Sequence, residues 1–263
     1  MLTNCRLRLA ASPSVRRLLA LLLLVAGGGG SAACARSPLA LRVTGNTRVL
    51  FIGNSLTYVH DVPALVEAIA RQVHDTGLVT ATVAFPDFAL EDHWSEGTAG
   101  RALAAQAWEF VVMQQGPSSL PANREHLAHW SRAFAPGIRS AGATPVLYQV
   151  WPQIGRRTDA PAVLVSYANA AREVGGRLAA AGAAWDSVLT MADPLPLYSS
   201  DGLHASPYGA WLAAVVLYAT LREVDPVSLP ATLPAAVPGP PLTAERVRAV
   251  LVRASQAMAG ARR

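Results

Sequence analysis

Two apolar patterns alternate along the chain. Short runs rich in β-branched and aromatic residues are separated by longer stretches whose apolar positions recur every three or four residues, the periods of half-buried strand and amphipathic helix. Strands are predicted at Arg48–Ile52, Val79–Ala84, Phe110–Met113, Pro145–Val150 and about Ala183–Val188. Helices are predicted near Pro63–Val73, Thr98–Ala107, Arg124–Ser140, Pro161–Ala181 and Ala205–Leu221, the last with Trp211, Leu212, Val215, Val216 and Tyr218 at helical spacing. Strand and helix in alternation predict a parallel sheet covered on both faces. A proline-rich stretch, Val224–Leu242, reads as an irregular surface connection, and Thr243 as the cap of a terminal helix with Val247, Val250 and Leu251 on one side.

Polar residues gather where these strands stop. Ser55 follows the first in FIGNSLTY; Asp87 and Glu91-Asp92-His93-Trp94 follow the second; Gln114, Gln115, Gly116 and Ser118 follow the third; Trp151 and Gln153 follow the fourth. In open parallel sheets the carboxyl ends of the strands are where sites form. Asp201 and His204 stand in SDGLHASPYG, just ahead of the helix that Pro207 helps begin.

Composition narrows the picture. The 263 residues are 52% hydrophobic and 15% charged, enough apolar material for one large α/β core. The net charge of +5 suggests nucleic acid until its distribution is read: Arg6, Arg8, Arg16 and Arg17 fall in the first thirty-three residues, which hold no acid, so 5 − 4 leaves +1 for the rest. No dense basic stripe remains and nucleic-acid binding is set aside. All basic residues are arginine; with the heavy alanine, glycine and proline content this reads as compositional bias.

The first residues have the form of an export signal: an arginine-bearing start, the apolar run Leu18–Ala26, four glycines, then Ser31-Ala-Ala-Cys34-Ala35. Ala33-Cys34-Ala35 fits a small-residue cleavage site, and Ser31-Ala-Ala-Cys34 resembles a lipobox with Ser31 in place of the usual large aliphatic residue. Residues 1–35 are expected to be a signal or lipoprotein signal, and 44–263 a single domain. The product is expected to be exported, to the periplasm or outside the cell, with a membrane tether if Cys34 is lipidated. Cys5 and Cys34 are the only cysteines, so the body offers no disulfide, thiolate metal site or cysteine nucleophile.

A serine hydroxyl needs a base to become a nucleophile. Gly53 and Asn54 permit a turn that lifts Ser55 from the sheet, although Gly-Asn-Ser is also the composition of an ordinary turn. A carboxylate three residues before a histidine can fold back onto its Nδ1, leaving Nε2 to face a serine. Asp201 and His204 have that spacing, and with Ser55 they complete a triad in the order Ser, Asp, His.

FIGNSLT and DGLHASPYG resemble the first and last blocks of the SGNH, or GDSL-like, hydrolases, in order and across nearly the whole body. The resemblance implies a three-layer α/β/α sandwich around a five-stranded parallel sheet (flavodoxin-like) and a serine esterase needing no metal or organic cofactor. It makes Ser55 the nucleophile, His204 the base and Asp201 its orienter. The oxyanion would rest on the Ser55 N–H, on an N–H of the second-strand loop at Asp87 or Phe88 where the family has glycine, and on a side chain near the third block. There the family's Gly-x-Asn is replaced by Gly116-Pro-Ser118. LEDHW and VVMQQ are similar to a subgroup using glutamine at about this place, so Gln114 is expected to donate, with Gln115 as runner-up. Asn54, His93, Trp94 and Trp151 are candidates to line the substrate pocket, the alternatives being a packed aromatic with a satisfied histidine at His93-Trp94 and a buried core tryptophan at Trp151. The implied substrate is a small-molecule or carbohydrate ester of short acyl groups such as O-acetyl sugar. The atypical middle blocks keep a second reading open, a non-catalytic binding or scaffold protein on the same fold. The signature G-x-S-x-G of α/β-hydrolases is absent.

Overall fold

The computed structural model describes residues 45–262. The expected export signal and the lipidation candidate Cys34 lie outside the described residues. Five strands run β1 (Thr47–Gly53), β2 (Leu78–Ala84), β3 (Phe110–Met113), β4 (Thr144–Tyr148) and β5 (Arg177–Ala179), all parallel in the order β2-β1-β3-β4-β5. The helices are α1 (Ser55–Tyr58), α2 (Val62–Gln72), α3 (Leu90–Glu96), α4 (Thr98–Ala105), α5 (Pro121–Ser140), α6 (Ala160–Glu173), α7 (Ala181–Leu189), α8 (Pro207–Arg222) and α9 (Ala244–Ala261).

β1 lies between β2 and β3, so its backbone is paired on both edges and Val49 through Ile52 are fully buried. This explains why it reads as a continuous apolar run and not as an alternation. α2 packs with α8, which packs with α7 and α9; α3, α4, α5 and α6 pack in succession. α8 is buried from Tyr208 to Leu221, as expected of a helix apolar on every side. The chain leaves β1 for a neighbour on one side and reaches β3 on the other, so the crevice at the carboxyl ends of β1 and β3 is the topological switch point.

One predicted element is corrected. Ala183–Val188 is part of helix α7, and the fifth strand is the three-residue Arg177–Ala179. Gly175, with φ of +60°, ends the preceding helix, and Gly176 passes so close to Pro145 O that a Cβ there would lie 2.6 Å from it. The predicted helix to Ala181 therefore stops at Glu173. Thr243 caps α9 as expected, its Oγ1 accepting from Arg246 N.

Candidate active site

The turn at Ser55 is built by side chains. β1 ends at Gly53 and α1 begins at Ser55, with Asn54 as N-cap. Asn54 has ordinary extended geometry (φ −131°, ψ −154°), and its Oδ1 accepts from Leu56 N at 3.1 Å. Gly53 does not supply a positive φ; it supplies space. A Cβ there would fall 2.4 Å from Thr57 Oγ1 and 2.5 Å from Gln114 Oε1. Ser55 is half-buried, and its Oγ has no hydrogen-bond partner among the described residues.

Gln114 fills the space under this turn. Its Oε1 accepts from Asn54 N (2.9 Å) and Thr57 Oγ1 (2.8 Å), and its Nε2 donates to Asn54 Oδ1 (2.9 Å) and Gln115 O (2.8 Å). Both N–H bonds of the amide are used, so Gln114 has no donor left for an oxyanion. This corrects the expectation that favoured it. Gln115 reaches towards the second-strand loop: Oε1 accepts from Leu90 N at 3.3 Å and Nε2 donates to Ser118 Oγ at 2.9 Å, using one of two N–H bonds. Tyr167, buried in α6, fixes this corner, its hydroxyl donating to Gln115 O at 2.6 Å and accepting from Gln115 N. Ser118 donates to Gly116 O and is likewise engaged.

Asn54 does not line a pocket either. It is buried, and its Nδ2 donates to Phe88 O at 2.9 Å, which ties the Ser55 turn to the second-strand loop. That loop turns over Phe85-Pro86-Asp87-Phe88, closed by Phe88 N donating to Phe85 O. Asp87 is exposed with φ of +60°, a conformation that glycine adopts freely and aspartate tolerates.

Of the other pocket candidates, His93 and Trp151 take the packed alternative, and Trp94 lies at a different groove. His93 is fully buried, its ring near those of Phe85 and Phe88, and its Nε2 lies 2.7 Å from Gly53 O. A carbonyl only accepts, so Nε2 carries the proton; Nδ1 is then a bare acceptor, buried without a partner among the described residues. Burial holds the imidazole below the usual histidine range, against the opposing effects of the Gly53 carbonyl, Asp92 and Glu96. Trp94 is exposed beside Trp130 and Phe134, at a groove of about 870 Å³ between α4 and α5 that includes none of Ser55, Asp201 and His204. Trp151 is fully buried, stacked on Trp185 with centroids 3.5 Å apart.

The Asp201–His204 loop sits over the end of β4. Trp151 Nε1 donates to Leu203 O (2.9 Å), Ile154 N to Gly202 O (2.8 Å) and Tyr198 Oη to Pro152 O (2.8 Å). Gly202, with φ of +69°, lets the loop double back. Asp201 Oδ1 then accepts from Ser199 Oγ, Leu203 N and His204 N, while Oδ2 lies 2.6 Å from His204 Nδ1. The bond from His204, then those from Leu203, Ser199 and the His204 backbone, hold this carboxyl far below the usual range, so it is ionised. Sequence reading missed Ser199, which had no signal beyond lying two residues before Asp201. Tyr148 Oη donates to Leu56 O at 3.3 Å, joining the end of β4 to the residue after Ser55. Ser55, Asp201 and His204 thus share the carboxyl edge of the sheet; His204 Nε2 makes no hydrogen bond among the described residues. Among those residues no group of three or more His, Cys, Asp or Glu could hold a metal ion.

No family model and no curated protein matches the sequence. Solved structures do. A candidate SGNH hydrolase from Slackia heliotrinireducens is similar with 29% identity and a TM-score of 0.58, over 66% of this chain and 98% of that one. LAE5, an alpha/beta hydrolase enzyme from the metagenome of Lake Arreo, Spain, matches with 15% identity and a TM-score of 0.55, over 68% and 97%. A catalytic mutant of Axe2, an acetylxylan esterase from Geobacillus stearothermophilus, matches with 16% identity and a TM-score of 0.53, over 69% and 96%. The described domain has the fold of the SGNH hydrolases.

Proposed function

We propose that this chain, on its SGNH-hydrolase fold, is a serine esterase in which Ser55 is the nucleophile, His204 the general base and Asp201 the residue that orients it. The observation that carries the reading is the 2.6 Å contact of an ionised Asp201 with His204 Nδ1, at the sheet edge where the chain also turns at Ser55. The carboxylate fixes Nδ1 as the protonated nitrogen, leaving Nε2 unprotonated and able to accept the serine proton. Ser55 would attack an ester carbonyl; His204 would pass the proton to the leaving alcohol and then activate water to release the acid. Base and nucleophile commonly close to hydrogen-bond distance only once substrate is bound.

The developing oxyanion would be met by the Ser55 N–H, by an N–H of the Asp87 turn and by the second Nε2–H of Gln115. Gln115 replaces Gln114 in this role because its amide retains an unspent donor. Each such donor contributes about 3–4 kcal/mol of transition-state stabilisation.

Short acyl esters, O-acetylated carbohydrate foremost, are the proposed substrate class. Axe2 is an acetylxylan esterase, and its catalytic mutants replace a histidine, a serine and an aspartate, the residue types assigned here. Export, with or without lipidation at Cys34, remains part of the proposal. A panel of p-nitrophenyl esters and acetylated sugars tests it. Wild type is expected to release acetate fastest and Ser55→Ala to release none; equal rates for the two proteins would refute it.

A further inference from the structure

The peptide unit joining Gly53 to Asn54 is held at both ends by buried side chains from different elements. Its carbonyl accepts from His93 Nε2 at 2.7 Å and from Phe85 N at 3.2 Å. Its N–H donates to Gln114 Oε1 at 2.9 Å. This peptide immediately precedes the one whose N–H belongs to Ser55. A rotation about it would swing that N–H and the serine side chain together.

His93 is a poor choice for stability alone. It occupies an aromatic pocket beside Phe85 and Phe88, fully buried, with Nδ1 unpartnered. An orphaned buried polar atom is destabilising, and an apolar side chain of similar volume would avoid that cost. What the apolar side chain cannot do is hold the Gly53 carbonyl. The mechanism above does not use His93, and an exposure of zero keeps it from touching substrate.

We infer that His93 and Gln114 are positioning residues that fix the Gly53–Asn54 peptide, and through it aim the Ser55 N–H and hydroxyl. The inference rests on the serine-esterase reading for its catalytic consequence and not for its structural one. A group that only aims the nucleophile and an oxyanion donor acts in the transition state more than in ground-state binding, so its loss lowers kcat and leaves KM nearly unchanged.

The test compares His93→Leu, which fills the pocket without a donor, with His93→Gln, whose amide N–H can reach the same carbonyl. Leu is expected to lower kcat on p-nitrophenyl acetate by about tenfold or more with KM within about twofold, at full folded content by circular dichroism. Gln is expected to recover most of the rate. In parallel, hydrogen exchange of the Asn54 amide should quicken in the Leu variant and stay slow in the Gln variant. Unchanged kcat together with unchanged exchange in the Leu variant would overturn the inference, as would a loss confined to KM. If the Leu variant fails to fold, Gln114→Met releases the other end of the same peptide and is expected to give the same split between kcat and KM. A wild-type protein without esterase activity would defeat the esterase reading, and the Asn54 exchange measurement would still decide whether His93 holds the peptide.

Discussion

Asp201 gives one carboxylate oxygen to His204 Nδ1 at 2.6 Å while the other accepts from Ser199 Oγ, Leu203 N and His204 N. The same side chain therefore shapes the loop and sets the histidine tautomer. Asp201→Asn keeps the size but offers an N–H where His204 needs an acceptor. It is expected to lower kcat by on the order of 10³–10⁴-fold with a much smaller effect on the melting temperature, because the asparagine Oδ1 can still accept from Ser199 Oγ, Leu203 N and His204 N. Steady-state kinetics beside a thermal melt check this; a variant retaining more than about a tenth of wild-type kcat would remove Asp201 from the triad.

Gly53 is required for space. Gly53→Ala places a methyl against Thr57 Oγ1 and Gln114 Oε1, both held in a buried network. Overpacking of this kind costs about 1–3 kcal/mol, and the turn it distorts carries Ser55. Urea unfolding should show a lower midpoint at an unchanged slope. Gly116→Ala, where an added Cβ meets nothing within 4 Å, should leave the midpoint alone.

The role proposed for Asp87 rests on its backbone N–H and not on its carboxylate. With φ of +60° and an exposed side chain, it occupies a conformation natural to glycine. Asp87→Gly is expected to keep wild-type kcat and stability within a factor of about two. Asp87→Val, with a β-branched side chain in the left-handed region, is expected to lose about 1–2 kcal/mol and part of its activity. A collapse of kcat in the glycine variant would show that the carboxylate itself has a role.

His93 links stability to pH. Burial lowers its folded-state pKa, so below about pH 6.5, the unfolded value, the unfolded chain takes up a proton that the folded chain refuses. Stability is fully present above that pH and is lost as pH falls towards the folded pKa. Asp92 and Glu96 are the charges that oppose the shift, and the neighbouring rings are Phe85 and Phe88. Denaturant midpoints at about pH 7 and pH 5 should differ less in His93→Gln than in wild type; equal differences in the two proteins would contradict the assignment.

Much of this was legible in sequence because it is local. β1 to β4 are runs of β-formers between turn residues, and all four were found to within two residues at each end. The Asp201–His204 pair was legible because three residues and a glycine suffice to close that loop. β5 was missed since three residues, Arg177–Ala179, carry no periodicity, and the apolar stretch that displaced it, Ala183–Val188, suits helix or strand equally. The roles of Gln114 and Gln115 were not readable because they depend on partners far away in sequence: Gln114 Nε2 donates to Asn54 Oδ1, sixty residues back, and Gln115 Oε1 accepts from Leu90 N, twenty-five residues back. The contact of His93 is not readable for the same reason: helix α3 turns it inward beneath Gly53, a fact of packing that the motif LEDHW does not contain.

The central claim is that Ser55 is an activated nucleophile. Folded protein treated with a fluorophosphonate probe, digested and read by mass spectrometry tests it directly. The account predicts a single adduct on the peptide containing Ser55, absent in Ser55→Ala and slowed in Asp201→Asn. No adduct on folded wild type, or equal labelling of Ser55→Ala, would contradict it.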